Sequence, residues 1–383
     1  MSLVVFPFKR EDPELLVRNA HIAAAHSRVA EVLGVGFEEE ATFRSLAAEA
    51  PGIEQATGKK VGVIVQERIG TKRPGKGDGM NTALRYFLES TDHERIHFYD
   101  ADITSFSQEW ITKAEEAADH DYHVVKHYFP RATTDAMITW MITRCGFAIL
   151  WPRSGLPWIE QPLGGELLFK RAAVERFVSD DRVQAQSDWG IDTLYTFATV
   201  SHGLGLFEAY IPQGKQHRLY GALTDVKTML VECFAAIQSL RHETLPFVNL
   251  HRVDYPDVVP EQIAEKVGYD IETTIRLPAE GWTPRQEELL KSFPEPVRKG
   301  MLECRTWPRF GFMDEENWYG TYEVLLEEFT LGDEDWEELL FKLWVARVLR
   351  YTMQAVTRGY SYAMRYLRFM VTRYIRRSAL EQT

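Results

Sequence analysis

The sequence predicts an α/β fold, a Rossmann-like mixed sheet wound with crossover helices, followed by a helical C-terminal domain. Two observations carry this prediction. The first half alternates short β-rich runs with longer helical patterns, as in sheets whose strands are joined by helices. From about Glu243 the pattern changes to long helical periodicity, rich in acidic residues and tryptophans. We therefore expect two domains, at residues 1–242 and 243–383.

The predicted elements begin with a strand over Leu3 to Phe8. A helix over Pro13 to Val32 follows, because Asp12 and Pro13 fit the N-cap and the first helical position. The strand over Ile96 to Tyr99 is expected to be the third along the chain. The other predicted elements are a buried strand at Val61 to Val65, helices near Asn81 to Leu88 and Gln108 to Ala118, strands near His123 to Tyr128 and at Gly205 to Ala209, and a helix from near Thr224.

Composition excludes several classes of protein. The net charge of -12 disfavours nonspecific binding to nucleic acid or to an acidic membrane, so a polyanionic ligand needs a local basic cluster. No run of about 18 apolar residues occurs, and the first residues do not resemble a signal peptide, so we expect a cytoplasmic protein. The three cysteines form no CxxC pair and predict neither disulfides nor a zinc site. The basic, aromatic C-terminal helices are typical of a core or of a homo-oligomer interface rather than of membrane contact.

Two carboxylates, Asp100 and Asp102, stand two positions apart where the predicted strand at Ile96 to Tyr99 ends. In an extended chain such residues project to the same side, so both can bind one cation. Oxygen ligands suit Mg²⁺, Mn²⁺ or Ca²⁺, and these ions neutralise a diphosphate. This is the DxD arrangement of GT-A glycosyltransferases, which bind nucleotide sugars on a mixed sheet.

The segment DADIT also fits the D-x-D-x-[TV] motif of haloacid-dehalogenase-like phosphatases. In those enzymes the first aspartate is the nucleophile and the second an acid or base. Chain order argues against this alternative, because that motif normally follows the first core strand and a later strand delivers another acidic pair. Here the later strand ends in Pro-Gln-Gly.

A glycine-rich basic loop precedes the predicted helix near Asn81. Lys72, Arg73 and Lys76 stand among four glycines, where the backbone can approach phosphate oxygens. No GxxxxGK[ST] sequence occurs, which excludes a P-loop. Open α/β sheets bind ligands at the carboxyl ends of their strands. Nucleotide recognition is therefore expected from Pro7, Phe8, Lys9, Arg10, Glu11, Gln66, Lys76 and Asp100.

Two further segments carry candidate ligands. In QGKQHRLYG, His217 can be a third metal ligand, while Arg218 and Tyr220 can cover the diphosphate as a lid. In YFPRATTDAMITW, Arg131 precedes a helix start that Thr133, Thr134 or Asp135 can cap. Free amides near Ala136 and Met137 would then form an anion site, and Thr139 can reach a hydroxyl of the acceptor.

The chain resembles the mannosylglycerate synthases, retaining GT-A enzymes that join mannose from GDP-mannose to D-glycerate. The resemblance rests on VVFPFKRE, VQERIG, GKGDGMNTAL, FYDADIT, YFPRATTDAMITW, QPLGGE, DWGID and QGKQHRLYG. It implies that Asp102 and His217 bind the metal, with Asp100 in support of the metal and the nucleotide. It further implies that Lys9, Lys76, Arg218 and Tyr220 hold the diphosphate region, that Ala101 belongs to the nucleotide site, and that Leu163, Gly164, Gly165, Trp189, Asp192 and Met229 surround the donor sugar and the acceptor. Asp100, Asp192 and Leu163 would then lie at the reaction centre.

Apart from this resemblance, the residues leave several choices open. They do not distinguish GDP from UDP, mannose from glucose, or retention from inversion. Asp192, at a predicted helix start, is the carboxylate to inspect for a catalytic base. The alternatives are glucosyl transfer to 3-phosphoglycerate or a related acid, a DxD phosphatase, and a noncatalytic module that binds sugar nucleotides.

Overall fold

The computed structural model describes residues 1–216, 222–245, 251–254 and 267–382. Within these ranges one mixed sheet has its strands in the order β3-β2-β1-β4-β6-β5-β7-β8. All neighbouring pairs are parallel except those of β6, which runs antiparallel to β4 and β5. The strands are β1 Ser2–Pro7, β2 Val29–Gly36, β3 Lys60–Val65, β4 Arg95–Phe98, β5 Val124–Tyr128, β6 Leu167–Lys170, β7 Leu206–Tyr210 and β8 His251–Val253.

Helices connect these strands and make up the C-terminal part, which confirms the predicted α/β class with a helical C-terminal region. No helix of the described residues is long and apolar enough to cross a membrane. The helices are α1 Pro13–Ala24, α2 Ala41–Thr57, α3 Lys76–Ser90, α4 Gln108–Ala118, α5 Arg144–Leu150, α6 Arg171–Val178, α7 Asp181–Ala185, α8 Ile191–Ser201, α9 Lys227–Ser239, α10 Ile271–Thr274, α11 Pro284–Leu289, α12 Glu295–Glu303, α13 Glu315–Glu328, α14 Glu334–Gln354 and α15 Tyr360–Glu381.

The first helix begins as predicted but ends early. Asp12 caps α1, since its carboxylate accepts hydrogen bonds from the amides of Glu14 and Leu15. The predicted continuation to Val32 is wrong, because β2 starts at Val29. Most of β2 is buried on both faces, and such strands lack the alternation of polar and apolar residues that distinguishes a strand from a helix. The helix α2 was not predicted.

The missed strand changes two further predictions. The strand before Asp100 is the fourth along the chain and not the third, and β4 pairs directly with β1 at the centre of the sheet. The strand at Val61 to Val65 is only partly buried, because β3 lies at the sheet edge: Val61 is buried, whereas Val65 is 49% exposed. The helix predicted near Asn81 already begins at Lys76.

A buried carboxylate stabilises the N-terminal edge of the central strands. Glu115 of α4 contacts His97 at 2.8 Å and accepts hydrogen bonds from Arg95 and Ser2. Burial alone would raise the pKa of Glu115, but the hydrogen bond from His97 and the charge of Arg95 bring this pKa well below its usual range.

The chain forms two compact units, each assembled from separate stretches. The first contains Met1–Pro130, Ile159–Arg218 and Leu245–Val259, and the second contains Arg131–Trp158, Leu219–Thr244 and Pro260–Thr383, as far as these are described. The sheet belongs to the first unit. The domain boundary between residues 242 and 243 stays a prediction.

The second unit is helical, and its stretches are joined by hydrogen bonds from buried aromatic side chains. Trp318 of α13 donates to the carbonyl of Met141 at 3.1 Å, and Tyr322 donates to the carbonyl of Ile142 at 2.9 Å. Both carbonyls lie in a π-helical turn, Thr139–Thr143, which runs directly into α5. Seven tryptophan and tyrosine residues of the C-terminal helices are core residues of this unit: Trp318, Tyr319, Tyr322, Trp336, Trp344, Tyr351 and Tyr374.

Candidate active site

Asp100 and Asp102 lie just beyond β4, at the carboxyl edge of the sheet. The extended-chain argument for their convergence is wrong in detail, because Ala101 and Asp102 form a turn. This turn is anchored from α1, where the side-chain amide of Asn19 donates to the carbonyl of Ile103 at 3.0 Å. Both carboxylates nevertheless lie close enough to Lys215 to affect its charge. Burial lowers the pKa of Lys215, but Asp100 and Asp102 each raise it.

Lys215 reaches the turn because its own segment is fixed there. The amide of Thr104 donates to the carbonyl of Gln216 at 2.7 Å, and the Ser105 hydroxyl donates to the carbonyl of Gly214 at 2.9 Å. The ammonium of Lys215 then lies 2.5 Å from a carboxylate oxygen of Asp100. The QGK part of the QGKQHRLYG motif is thus attached to the DxD turn.

Glu166 and Lys215 are site residues that the sequence analysis missed. The Lys215 ammonium bridges Asp100 and Glu166, at 2.5 Å from each carboxylate. Glu166 is almost fully buried, and it directly follows the Leu163 to Gly165 segment. Glu166 is the final residue of the QPLGGE motif, and Lys215 is the lysine of QGKQHRLYG. Their presence in these two motifs is the signal by which the sequence could have indicated them.

Lys76 is the residue that connects the two acidic parts of the site. Its ammonium is 3.1 Å from Asp100 and 3.2 Å from Asp192. Burial opposes the positive charge, but Asp100 and Asp192 raise the pKa of Lys76, so it stays protonated. Burial would likewise raise the pKa of Asp100, but Lys215 and Lys76 hold it well below the usual range of a carboxyl group.

Asp192 lies in the first turn of α8, as predicted, and is 3% exposed. Its Oδ2 atom bonds Lys76, whereas its Oδ1 atom is buried and accepts no hydrogen bond from any described residue. Burial raises the pKa of Asp192, although Lys76 and Lys126 lower it. The half-buried ring of Trp189 lies 5.8 Å from the Lys76 ammonium. The Oδ1 atom of Asp192 can therefore accept a hydrogen bond from a hydroxyl group of a ligand.

Of the basic residues in the glycine-rich loop, Lys76 reaches the acidic cluster, whereas Arg73 holds the loop in place. Arg73 donates two hydrogen bonds to Asp188, at 2.7 and 2.5 Å, and Asp188 also accepts from the amide of Lys76 at 3.4 Å. The Arg73 guanidinium thus neutralises the buried carboxylate of Asp188, and a phosphate-binding role for Arg73 stays a prediction. Gly165 leaves room for Lys76, since a methyl group there would lie 2.2 Å from the ammonium nitrogen.

The predicted nucleotide residues around β1 divide into core and surface positions. Phe8 is buried, and its ring fills the space next to Gly36. A side chain at residue 36 would collide with this ring. Lys9 and Arg10 are exposed, and Pro7 and Glu11 are partly exposed. Arg10 has a φ angle of 59°, the single non-glycine residue with positive φ among those described, and such strained backbone is common at functional sites. Gln66 bonds the carbonyl of Gly75 at 3.0 Å and so connects the end of β3 to the glycine-rich loop.

The Leu163 to Gly165 segment lies beside this cluster. Leu163 is partly exposed, while Gly164 and Gly165 are buried. A side chain on Gly164 would collide with Gln161, at 2.8 Å. The structure therefore brings Asp100, Lys76, Asp192 and this segment together in the first unit.

The predicted acceptor residues, except Leu163, belong to the second unit. Arg131 and Asp135 form an ion pair at 3.6 Å. The hydroxyl of Thr134 accepts a hydrogen bond from the amide of Gly268 at 2.8 Å. Thr139 opens the π-helical turn, a form of helix frequent at functional sites. The remaining predicted acceptor residues are Ala136 and Met137, both buried, and Met229 of α9, which is half-buried.

Three predicted residues, His217, Arg218 and Tyr220, lie outside the described residues. The predicted roles of His217 as a metal ligand and of Arg218 and Tyr220 as a lid over the diphosphate stay predictions. Within the described part of the chain, no group of three or more His, Cys, Asp or Glu side chains is arranged to hold a metal ion.

Comparison with known proteins bears on the activity. The family model for the glycosyltransferase domain of mannosylglycerate synthase matches residues 2–239, and the model for its C-terminal domain matches residues 263–371. A mannosylglycerate synthase of Rhodothermus marinus is 62% identical over 381 residues, which cover 100% of this chain and 96% of the relative. One of Selaginella moellendorffii is 56% identical and covers 97% of this chain and 89% of the relative.

A solved structure of glucosyl-3-phosphoglycerate synthase from Mycobacterium tuberculosis is 19% identical, with a TM-score of 0.48, and covers 62% of this chain and 79% of that chain. The near full-length relatives and the two family models exclude the phosphatase alternative, because they assign glycosyl transfer to the chain with the DxD turn. The chain belongs to the mannosylglycerate synthase family and is a glycosyltransferase.

Proposed function

We propose that the chain transfers mannose from GDP-mannose to D-glycerate with retention of configuration, forming 2-O-α-mannosylglycerate in the presence of a divalent cation. The observation that carries the proposal is the position of Lys76, whose buried ammonium joins Asp100 at the end of β4 to Asp192 in α8. A diphosphate beside Asp100 and a sugar beside Asp192 would meet at this lysine. Family membership supports the same reaction.

The donor atoms around the DxD turn fit a hard cation. Asp100 and Asp102 offer carboxylate oxygens, the ligands that Mg²⁺, Mn²⁺ and Ca²⁺ prefer. The carboxylates of Asp100 and Glu166 already surround a positive group, the Lys215 ammonium. We propose that Asp100, Asp102 and His217 hold the cation, which would neutralise the leaving diphosphate when bound. Lys76 and Lys9 would add positive charge to the same region.

The donor sugar would lie against Asp192 and the Leu163 to Gly165 segment. The unpaired Oδ1 atom of Asp192 would accept a sugar hydroxyl, and Trp189 would give an apolar surface for the ring. Because Oδ2 of Asp192 is neutralised by Lys76, this carboxylate is better suited to bind hydroxyls than to remove a proton. This arrangement favours a retaining course, in which a diphosphate oxygen accepts the proton of the acceptor.

In that course the bond between the anomeric carbon and the diphosphate oxygen breaks while the bond to the glycerate 2-hydroxyl oxygen forms on the same face. The hydroxyl proton passes to the leaving diphosphate, so no side chain has to act as a base. Arg131 and Asp135 would bind the glycerate carboxylate and one of its hydroxyls, and Thr139 would hold the other. Lys76 would stabilise the negative charge that develops on the diphosphate.

The test is incubation with GDP-mannose, Mn²⁺ and D-glycerate, in which GDP release and the new glycoside are followed by chromatography. GDP release that requires D-glycerate, together with an α-linked product by NMR, supports the proposal. Parallel reactions use UDP-glucose with 3-phosphoglycerate. If UDP is released there while GDP-mannose and D-glycerate give no product, the proposed donor and acceptor are wrong.

A further inference from the structure

Lys126 is a buried lysine that the reaction described above does not use. It lies on β5, an inner strand of the sheet, and is 1% exposed. Lysines are rarely buried to this extent, because an ammonium loses its hydration. Burial lowers the pKa of Lys126 to about 8, and the charges of Asp192, Glu208 and Glu166 oppose this shift. The side chain is therefore mostly protonated near neutral pH, and it needs hydrogen-bond acceptors.

Three acceptors surround the ammonium of Lys126, one for each of its hydrogens. They are the carbonyl oxygens of Pro162 and Gly164, each at 3.4 Å, and the hydroxyl oxygen of Thr196 at 3.0 Å. The two carbonyls flank Leu163 in the chain. Lys126 thus holds the backbone on both sides of the residue that the proposed function places beside the sugar.

Thr196 connects the same backbone to Asp192. Its hydroxyl oxygen is 2.7 Å from the carbonyl of Pro162 and 2.9 Å from the carbonyl of Asp192, one turn earlier in α8. The hydrogen bond from Lys126 occupies the hydroxyl oxygen as an acceptor, which leaves its single hydrogen for these carbonyls. Lys126 and Thr196 together therefore join the Leu163 to Gly165 segment to the helical turn that carries Asp192.

Burial of the Lys126 ammonium costs hydration, and this cost offsets part of what its three hydrogen bonds contribute to folding. Buried charges in proteins are often replaced by well-packed apolar residues without loss of stability, whereas polar networks fix one geometry. Displacement of a binding group by about 1 Å can lower a reaction rate by about 100-fold. A polar connection between the two parts of a sugar site can therefore matter more for turnover than for folding.

We propose that Lys126 and Thr196 are positioning residues, which fix the Leu163 to Gly165 segment against Asp192 and so set the geometry of the donor sugar. The proposal rests on the proposed function. Both side chains are almost fully buried and direct their hydrogen bonds to protein atoms, so their proposed role is to position other groups. In the proposed function, Lys76 and the DxD turn bind the nucleotide part of the donor.

The experiment compares substitutions along one face of α8. Thr196→Val removes the hydroxyl at constant size, and Thr196→Ser restores it. Thr199→Val is the matched control, because Thr199 is equally buried and its hydroxyl donates to the carbonyl of Tyr195, also one turn earlier, at 2.6 Å. Lys126→Met removes the ammonium itself. For each variant, kcat and KM are measured with GDP-mannose, D-glycerate and Mn²⁺, GDP affinity is measured by calorimetry, and the melting temperature is recorded.

We expect Thr196→Val and Lys126→Met to lower kcat by about tenfold or more while GDP affinity stays within about twofold of the parent chain. Thr196→Ser should recover most of the turnover, and Thr199→Val should behave like the parent. Equal turnover in Thr196→Val and Thr199→Val would overturn the proposal, as would a parallel loss of GDP affinity and melting temperature. Inactivity of the parent chain itself would instead remove the proposed function, and the positioning role with it.

Discussion

The substitution Gly165→Ala tests whether Lys76 stands where the site requires it. The backbone at residue 165 is not left-handed, so alanine is conformationally allowed there. The added methyl carbon would lie 2.2 Å from the Lys76 nitrogen and 2.9 Å from Oδ1 of Asp100. Ordinary contacts begin at 3.4 Å, so the ammonium has to move by about 1.2 Å.

A shift of this size should cost Lys76 at least one of its partners, Asp100 at 3.1 Å or Asp192 at 3.2 Å. It also displaces the ammonium from the place at which the proposed diphosphate site requires it. A hydrogen bond to a charged group contributes about 1.5 to 3 kcal/mol. We therefore expect GDP to bind about 10- to 150-fold more weakly. The fold should persist, because the atom that yields is the end of a flexible side chain.

The assay is calorimetric titration with GDP and Mn²⁺, together with a thermal melt of each protein. Gly62→Ala is the control, since Gly62 lies on the edge strand β3 and a methyl group there meets no atom within 4 Å. Unchanged GDP affinity in Gly165→Ala, with a normal melt, would refute the reasoning, because Lys76 would then not occupy the space above residue 165 when nucleotide binds.

Three further results are expected. Dialysis against EDTA should abolish glycosyl transfer, and Mg²⁺, Mn²⁺ or Ca²⁺ should restore it, because Asp100 and Asp102 are oxygen donors; full activity in EDTA would remove the metal from the proposal. Arg131→Ala should weaken the apparent binding of D-glycerate by about 2 kcal/mol or more, measured as a higher KM, while GDP-mannose binding persists. An equal loss of activity with the neutral acceptor glycerol would show that Arg131 is structural. Glu115→Gln should lower the free energy of unfolding at pH 7 by about 3 to 5 kcal/mol. Because the folded-state pKa of Glu115 is depressed, its stabilisation is complete above the unfolded-state value of 4.5 and declines as the pH falls below it. Urea unfolding from pH 5 to pH 3 should therefore show a smaller decline for Glu115→Gln than for the parent, and equal declines would contradict this role.

Those parts of the site that lie within one short motif could be predicted from the sequence. Asp100 follows a strand and Asp192 lies in the first turn of a helix, as local pattern indicates, whereas Lys76, expected in a loop, opens α3. The bridge from Lys215 to Asp100 and Glu166 could not be predicted, because it joins residues 49 and 115 positions apart through the order of the strands. Likewise β2 was missed, since a strand buried on both faces has no polar alternation.

The assembly of the second unit from separate stretches has a consequence for synthesis of the chain. Its π-helical turn and α5 are made early, yet their partners come late: Gln382 donates to the carbonyl of Ile149 at 3.3 Å, and Arg153 donates to the carbonyl of Ala379 at 3.1 Å. During translation more than 200 residues are synthesised after α5 before α15 emerges from the ribosome, and until then the apolar face of α5 lacks this partner. The nascent chain should therefore be a ready substrate for chaperones, and a transplant of this unit into a relative would have to exchange all of its stretches at once.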